Sequence, residues 1–200
     1  MSWPWDEVFL ARHGQTEWNV QRRRQGQLDS PLTPLGTSQA GRCAVLLEPR
    51  GVDAVLTSPQ PRCLRTATIL GDHLGVPVTV IEELAEVHHG AFAGLTDEEI
   101  EHRHAGEWGR RGSDRYRWTF PGGESYADAD GRAVQALERL RRLGAARPLI
   151  VTHEMIGRMI QRHLLDLDVE QALATRHPHG LVYSLRPGLG RRDVVNGETP

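Results

Sequence analysis

Short, wholly apolar runs alternate along the chain with longer stretches in which apolar residues recur every three or four positions. Val8-Phe9-Leu10-Ala11 reads as a buried strand that runs into polar and glycine residues, the composition of a loop. Thr33 to Leu47 carries Ala40, Ala44, Val45 and Leu47 near helical spacing, with Thr33 as N-cap, Pro34 in the first turn, and Pro49 and Gly51 beyond the end. Asp53 to Thr57 predicts a second strand, Pro61 to Leu74 a helix closed by Gly75 and Pro77, and Val78 to Ile81 a third strand. Asp97 to Glu107 reads as an exposed helix. Trp108 to Ser125, rich in Gly and Arg, reads as a loop of the length usually tied to function or mobility. Ala127 to Leu143 then shows a helical stripe of Ala133, Leu137, Leu140 and Leu143. It is followed by an apolar strand at Pro148 to Thr152, an amphipathic helix over Met155 to Leu167, a last strand over Leu181 to Leu185, and a tail after Pro187 that reaches at most an edge hairpin.

No internal repeat or linker breaks this alternation. The 200 residues are therefore expected to form one domain, with an irregular covering segment at about 95–126. Strands alternating with helices predict an α/β fold, a three-layer α/β/α sandwich around a central, mostly parallel sheet covered on both faces. In such folds ligands bind just beyond the carboxyl ends of the strands. The residues following each expected strand are Arg12-His13, the stretch Ser58 to Arg62, Glu86 and His153. Two imidazoles, two guanidinium groups and a carboxyl group converging on one crevice suit phosphoryl transfer without a metal. A neutral imidazole attacks phosphorus, arginines hold the non-bridging oxygens, and a carboxylic acid protonates the departing alkoxide.

Composition narrows the chemistry further. The 24 basic residues balance 26 acidic ones, so no charge excess points to nucleic acid or to an anionic membrane surface. All 24 are arginine, and the missing lysine excludes a Walker-type phosphate loop, a protein kinase and Schiff-base chemistry. No apolar run approaches the roughly 20 residues of a membrane span and the N-terminus lacks a signal-peptide pattern, so a cytoplasmic protein is expected. Cys43 and Cys63 sit in helical apolar patterns and are expected to be buried free thiols. His88-His89 and His102/His104 match no metal-ligand spacing, so no metal or other cofactor is expected. Arg22-Arg23-Arg24 reads as a solvated cluster, and Trp3 and Trp5 as packing onto the body.

The local strings also carry a resemblance. Leu10-Ala11-Arg12-His13-Gly14-Gln15-Thr16-Glu17-Trp18-Asn19 resembles the signature of the histidine phosphatase superfamily, the phosphoglycerate mutase-like family. The likeness continues through Arg24-Gln25-Gly26, Asp29, Pro31-Leu32-Thr33, Gly36, Gln39-Ala40, Thr57-Ser58-Pro59 with Arg62, and Thr66-Ala67. It runs on through Leu84-x-Glu86 with Gly90 and Gly94, Pro121 to Ser125, and Val151-Thr152-His153 with Arg158, covering roughly residues 8 to 186. The resemblance implies that His13 is the nucleophile, that Arg12, Arg62 and a protonated His153 form the phosphate pocket, and that Glu86 is the proton donor and later the base. Asn19, Gln25 and Gly26 match positions that touch the phosphate or the leaving group in relatives.

Within that family the short Trp108 to Phe120 segment favours hydrolysis of a small-molecule phosphate ester. Cofactor-dependent phosphoglycerate mutation and a non-catalytic phosphate-binding role are the alternatives. Arg110 and Arg111 are similar to the paired arginines of the mutases and, with Arg115 and Arg117, are candidates for the substrate's other end. Gln15, Gln25 and Glu154 are further candidates for the crevice wall. Glu154 replaces the family's usual glycine beside His153; it is expected either to point away from the phosphate, the favoured reading, or to recognise a cationic or hydroxyl group of the substrate. An edge strand in the tail could pair between subunits of a homo-oligomer.

Overall fold

The computed structural model describes residues 3–112 and 114–194. Six strands form one sheet: β1 (Val8–Arg12), β2 (Ala54–Thr57), β3 (Val78–Val80), β4 (Pro148–Thr152), β5 (Val182–Arg186) and β6 (Gly190–Asp193). Their spatial order is β3-β2-β4-β1-β5-β6. The first four run parallel, β5 pairs antiparallel with β1, and β6 antiparallel with β5. The mostly parallel sheet expected from the alternating pattern is thus extended by an antiparallel hairpin, and residues 195–200 of the tail lie outside the described residues.

Strand side chains alternate between two cores. Val8 and Leu10 of β1 and Ile150 of β4 enter one cluster with Ala133, Leu137 and Leu140 of α6 (Tyr126–Leu143) and Ile156, Met159 and Ile160 of α7 (Glu154–Leu165). Phe9, Ala11, Leu149 and Val151 enter the other with Cys43, Ala44 and Leu47 of α2 (Pro34–Leu47) and Cys63, Ala67 and Leu70 of α3 (Pro61–Leu74). The central strands are buried on both faces, which is why they read as unbroken apolar runs rather than as alternation. Both cysteines are buried and free.

Helix ends follow local chemistry. Thr33 caps α2, accepting from the Gly36 N–H at 3.0 Å, and Ser125 caps α6 in a reciprocal pair with Asp128. Gly75 and Gly144 close α3 and α6 in the left-handed region. Helix α7 stops at Leu165 because Asp166 adopts φ +54, two residues short of the expected end. The single helix expected over Asp97 to Glu107 is two, α4 (Asp97–Arg103) and α5 (Ala105–Arg110), broken at His104, so the expected loop begins three residues into α5. Two short helices escaped the periodicity: α1 (Glu17–Val20) and α8 (Val169–Ala174). Four and six residues are too few to show an apolar stripe, yet both carry capping boxes, Thr16 with Asn19 and Asp168 with Gln171.

Candidate active site

Adjacent parallel strands end side by side, and that alone brings the two expected catalytic histidines together. Arg12 of β1 pairs with Thr152 of β4, the His13 N–H donates to the Thr152 carbonyl at 3.0 Å, and the rings of His13 and His153 lie 5.2 Å apart. On the other flank of β4, the Ser58 N–H at the end of β2 donates to the Val151 carbonyl at 3.1 Å. β3 leads through a 3-10 turn at Glu82–Leu84 to Glu86. A cleft of about 540 Å³ at this end of the sheet is lined by Arg12, His13, Arg62, Glu86 and His153 together. A larger hollow of about 1020 Å³ beside Trp3, Trp5, Arg147 and Arg186 contains none of the five; its Arg147 and Arg186 are both paired with Glu7.

Hydrogen-bond direction fixes the state of each ring. His13 is buried, and its Nδ1–H donates to the Gly14 carbonyl at 2.8 Å, leaving the Nε2 lone pair for attack. Burial, then Arg12, Arg62 and His179, hold its pKa well below the ordinary histidine value, so the His13 imidazole is neutral. Arg62, a donor only, gives an Nη2–H to His153 Nδ1 at 3.1 Å. The proton of His153 therefore lies on Nε2, which faces Ser58 Oγ at 2.7 Å and Gln60 Oε1 at 2.9 Å. Burial, followed by Arg62, His13 and Arg12, drives the His153 pKa well below the usual range.

Arg12 and Arg62 are both held by acceptors from neighbouring segments. Arg62 donates to the carbonyls of Leu28 and Gly26, each at 2.7 Å, and to Asp29 Oδ1 at 3.0 Å, while its Nε is buried with no hydrogen-bond partner among the described residues. Arg12 gives Nη1 to Glu154 and to the His177 carbonyl at 3.2 Å, and its Nε is likewise unpartnered. The Glu86 carboxylate accepts from the backbone N–H groups of Val87, Met155 and Ile156 at 3.0, 3.2 and 3.3 Å, which ties it to the first turn of α7. Arg132 holds its chain segment, donating to the carbonyls of Glu83 and Ala85 at 3.0 and 2.8 Å.

Asn19, Gln25, Gly26, Glu154 and Arg111 also line the cleft. Asn19 Oδ1 is taken by the Thr16 N–H and hydroxyl, both at 2.9 Å, so its amide NH2 remains free. Gln25 is anchored on Thr16 Oγ1 at 2.8 Å. Two other candidates lie elsewhere: Gln15 turns its Oε1 to the Thr33 hydroxyl at 3.0 Å, and Arg110 is exposed at the end of α5, one helical step from the Arg111 that faces inward. Glu154 bridges Arg12 and Arg158 at the cleft wall.

Arg23 and Arg24, read as solvated, line the cleft in ion pairs with Glu99 and Asp97. The sequence reading also overlooked His177 and His179. The His179 ring lies 5.2 Å from that of His13, and its Nδ1–H donates to the His13 carbonyl at 2.7 Å. Both precede β5, and because β5 runs antiparallel its beginning lies at the active end of the sheet. Among the described residues no three His, Cys, Asp or Glu side chains gather in a way that could hold a metal ion.

Comparison with known proteins places this geometry in a family. Residues 8–197 match the profile of the histidine phosphatase superfamily, branch 1. A probable phosphoglycerate mutase, GpmB, of Yersinia enterocolitica is 37% identical over 155 residues, covering 74% of this chain and 70% of that one. Glucosyl-3-phosphoglycerate phosphatase of Mycolicibacterium vanbaalenii is 35% identical over 174 residues, covering 82% and 76%. The crystal structure of the α-ribazole phosphatase from Shigella flexneri superposes with a TM-score of 0.82 at 26% identity, covering 89% of each chain. The chain belongs to the histidine phosphatase superfamily, in its branch 1.

Proposed function

We propose that this phosphatase of the histidine superfamily hydrolyses small phosphomonoesters through a phosphohistidine on His13. The observation that carries the reading is a buried His13 imidazole, its Nδ1–H held by the Gly14 carbonyl, in one cleft with Arg12, Arg62, Glu86 and His153. His13 Nε2 attacks phosphorus in line, the ester P–O bond breaks, and Glu86 gives its proton to the departing alkoxide. Arg12, Arg62 and His153 meet the charge on the equatorial oxygens. Water, losing a proton to Glu86, then attacks the phosphohistidine; the P–N bond breaks and phosphate leaves.

The wall opposite the phosphate pocket sets the substrate class. Arg111 lines the cleft with its guanidinium over Trp108 at 4.9 Å and against the Tyr126 hydroxyl at 3.0 Å, and no carboxylate among the described residues pairs with it. An uncompensated guanidinium facing the cleft suits a substrate bearing a second anionic group, such as a carboxylate. That fits the glucosyl-3-phosphoglycerate named for one relative. A cytoplasmic location goes with this reading and with two unpaired buried thiols, and no described helix is long and apolar enough to cross a membrane.

Phosphoglycerate mutation is the second reading, favoured by the GpmB relative and by Arg111 at the position of the mutase arginines. Rapid-quench trapping of an acid-labile phosphohistidine, with release of inorganic phosphate unaffected by chelator, tests the first. Efficient conversion of 3-phosphoglycerate that depends on 2,3-bisphosphoglycerate, with negligible phosphate release, reverses the order.

A further inference from the structure

Glu154 stands directly after His153 at the start of α7, where a carboxylate is electrostatically opposed to an incoming phosphate. Its two oxygens are fully employed. Oε2 accepts from Arg12 Nη1, and Oε1 accepts from Arg158 Nη2 at 2.6 Å. Arg158 is itself fixed at its other end, donating Nη1 to the Leu173 carbonyl of α8 at 3.0 Å. Arg12 Nη1 takes a second acceptor, the His177 carbonyl, at 3.2 Å. Both partners of Arg12 among the described residues therefore gather on Nη1, which leaves the rest of the guanidinium for other acceptors.

We infer that Glu154 is a positioning residue for Arg12, the central link of an Arg158–Glu154–Arg12 brace that holds the Arg12 guanidinium fixed in the cleft beside His13. A guanidinium is planar, so holding Nη1 with a carboxylate and a carbonyl fixes the direction of the remaining N–H groups and removes the rotamer freedom a free arginine loses on binding. Arg158 offsets the negative charge that Glu154 brings to the cleft. The i,i+4 spacing from Glu154 to Arg158 places both on one face of α7, so the brace is written into one helical turn.

This inference rests on Arg12 as a phosphate ligand, and two probes separate its failure from that of the hydrolase reading: p-nitrophenyl phosphate for turnover and inorganic phosphate for calorimetric binding. Glu154→Ala is expected to lower kcat by about ten- to a hundredfold, with a smaller rise in KM, weaker phosphate binding and an unchanged Tm. Glu154→Gln, which keeps one acceptor oxygen, falls between Ala and the parent. Arg158→Met weakens kcat in the parent but adds nothing in the Glu154→Ala background, because it acts through the carboxylate. Tighter phosphate binding with higher kcat/KM in Glu154→Ala overturns the brace and makes Glu154 a competitor for Arg12; unchanged kcat and phosphate affinity overturn it as well. If the parent cleaves no ester, the hydrolase reading fails, and the phosphate affinities of parent and variant still decide the brace.

Discussion

Arg62 illustrates how single side chains set the chemistry of this site. Because a guanidinium only donates, its contact with His153 Nδ1 dictates where the imidazole proton lies, and Ser58 and Gln60 complete that assignment. His13 is fixed in the same manner by the Gly14 carbonyl. His13→Ala is expected to abolish turnover with far-UV circular dichroism and Tm close to the parent; substantial residual hydrolysis would move the nucleophile elsewhere. Arg111 offers a second test at this scale. Replacing it by Gln should raise KM about ten- to a hundredfold for phosphoesters that carry a carboxylate, the value of a charge-assisted hydrogen bond, and leave p-nitrophenyl phosphate unaffected. Equal losses on both substrates would place Arg111 at the phosphate instead. His13, Arg12, Arg62 and His153 were legible in the sequence because Arg12 ends β1, His13 and His153 directly follow β1 and β4, and Arg62 opens the helix after β2. The direction of Glu154 was not, since its partners, Arg12 and Arg158, come from two different elements.

Elements carry these residues to one place through close crossings. The loop after β1 passes the first turn of α2 with no room between backbones: a Cβ on Gly36 would collide with the Gln15 carbonyl, and one on Gly14 with the Gly36 carbonyl. Gly36→Ala should therefore destabilise the protein by about 2 to 3 kcal/mol, the range of an overpacked contact, and displace the loop that presents His13. Urea denaturation measures the first effect and kcat the second. A fully stable, fully active variant would show that the two backbones yield. The N-terminus of α7 performs a comparable task for Glu86, whose carboxylate it holds through the Met155 and Ile156 N–H groups. Helices long enough to show a stripe were legible; α1 and α8 were visible only through their capping boxes.

Across the whole molecule, five histidines crowd one end of the sheet and are pushed down in pKa. Burial is the largest cause for each: His13 and His153 well below the ordinary value, His89 and His177 to about 3, His179 to about 4. Such a group stays neutral in the folded state while the unfolded chain protonates near pH 6.5. The unfolded state then binds more protons, so stability is complete above that pH and falls as the pH drops below it. Each fully buried histidine held neutral costs about 2 kcal/mol at pH 5 relative to pH 7. Tm should fall steeply between pH 6.5 and 5. His177, fully buried against Tyr183, supplies the control: His177→Phe should lose about 2 kcal/mol less than the parent over that range. A Tm independent of pH from 7 to 5 would show that these imidazoles are not held neutral.

The sequence by itself determined the alternation of strands and helices, the caps, and the strand-end residues Arg12, His13, Arg62, Glu86 and His153, because these follow from local periodicity and from where a parallel strand stops. Only the tertiary structure decided what depends on strand direction and cross-element contact. The antiparallel sense of β5 brings His177 and His179 to the nucleophile. Burial beside two arginines makes both catalytic imidazoles neutral. The meeting of β1, α7 and α8 turns Glu154 from an apparent obstacle to phosphate into the partner of Arg12. Local pattern names which side chains reach the crevice; their protonation and aim depend on contacts such as Arg62 to His153 and Arg12 to Glu154, which join elements distant in sequence.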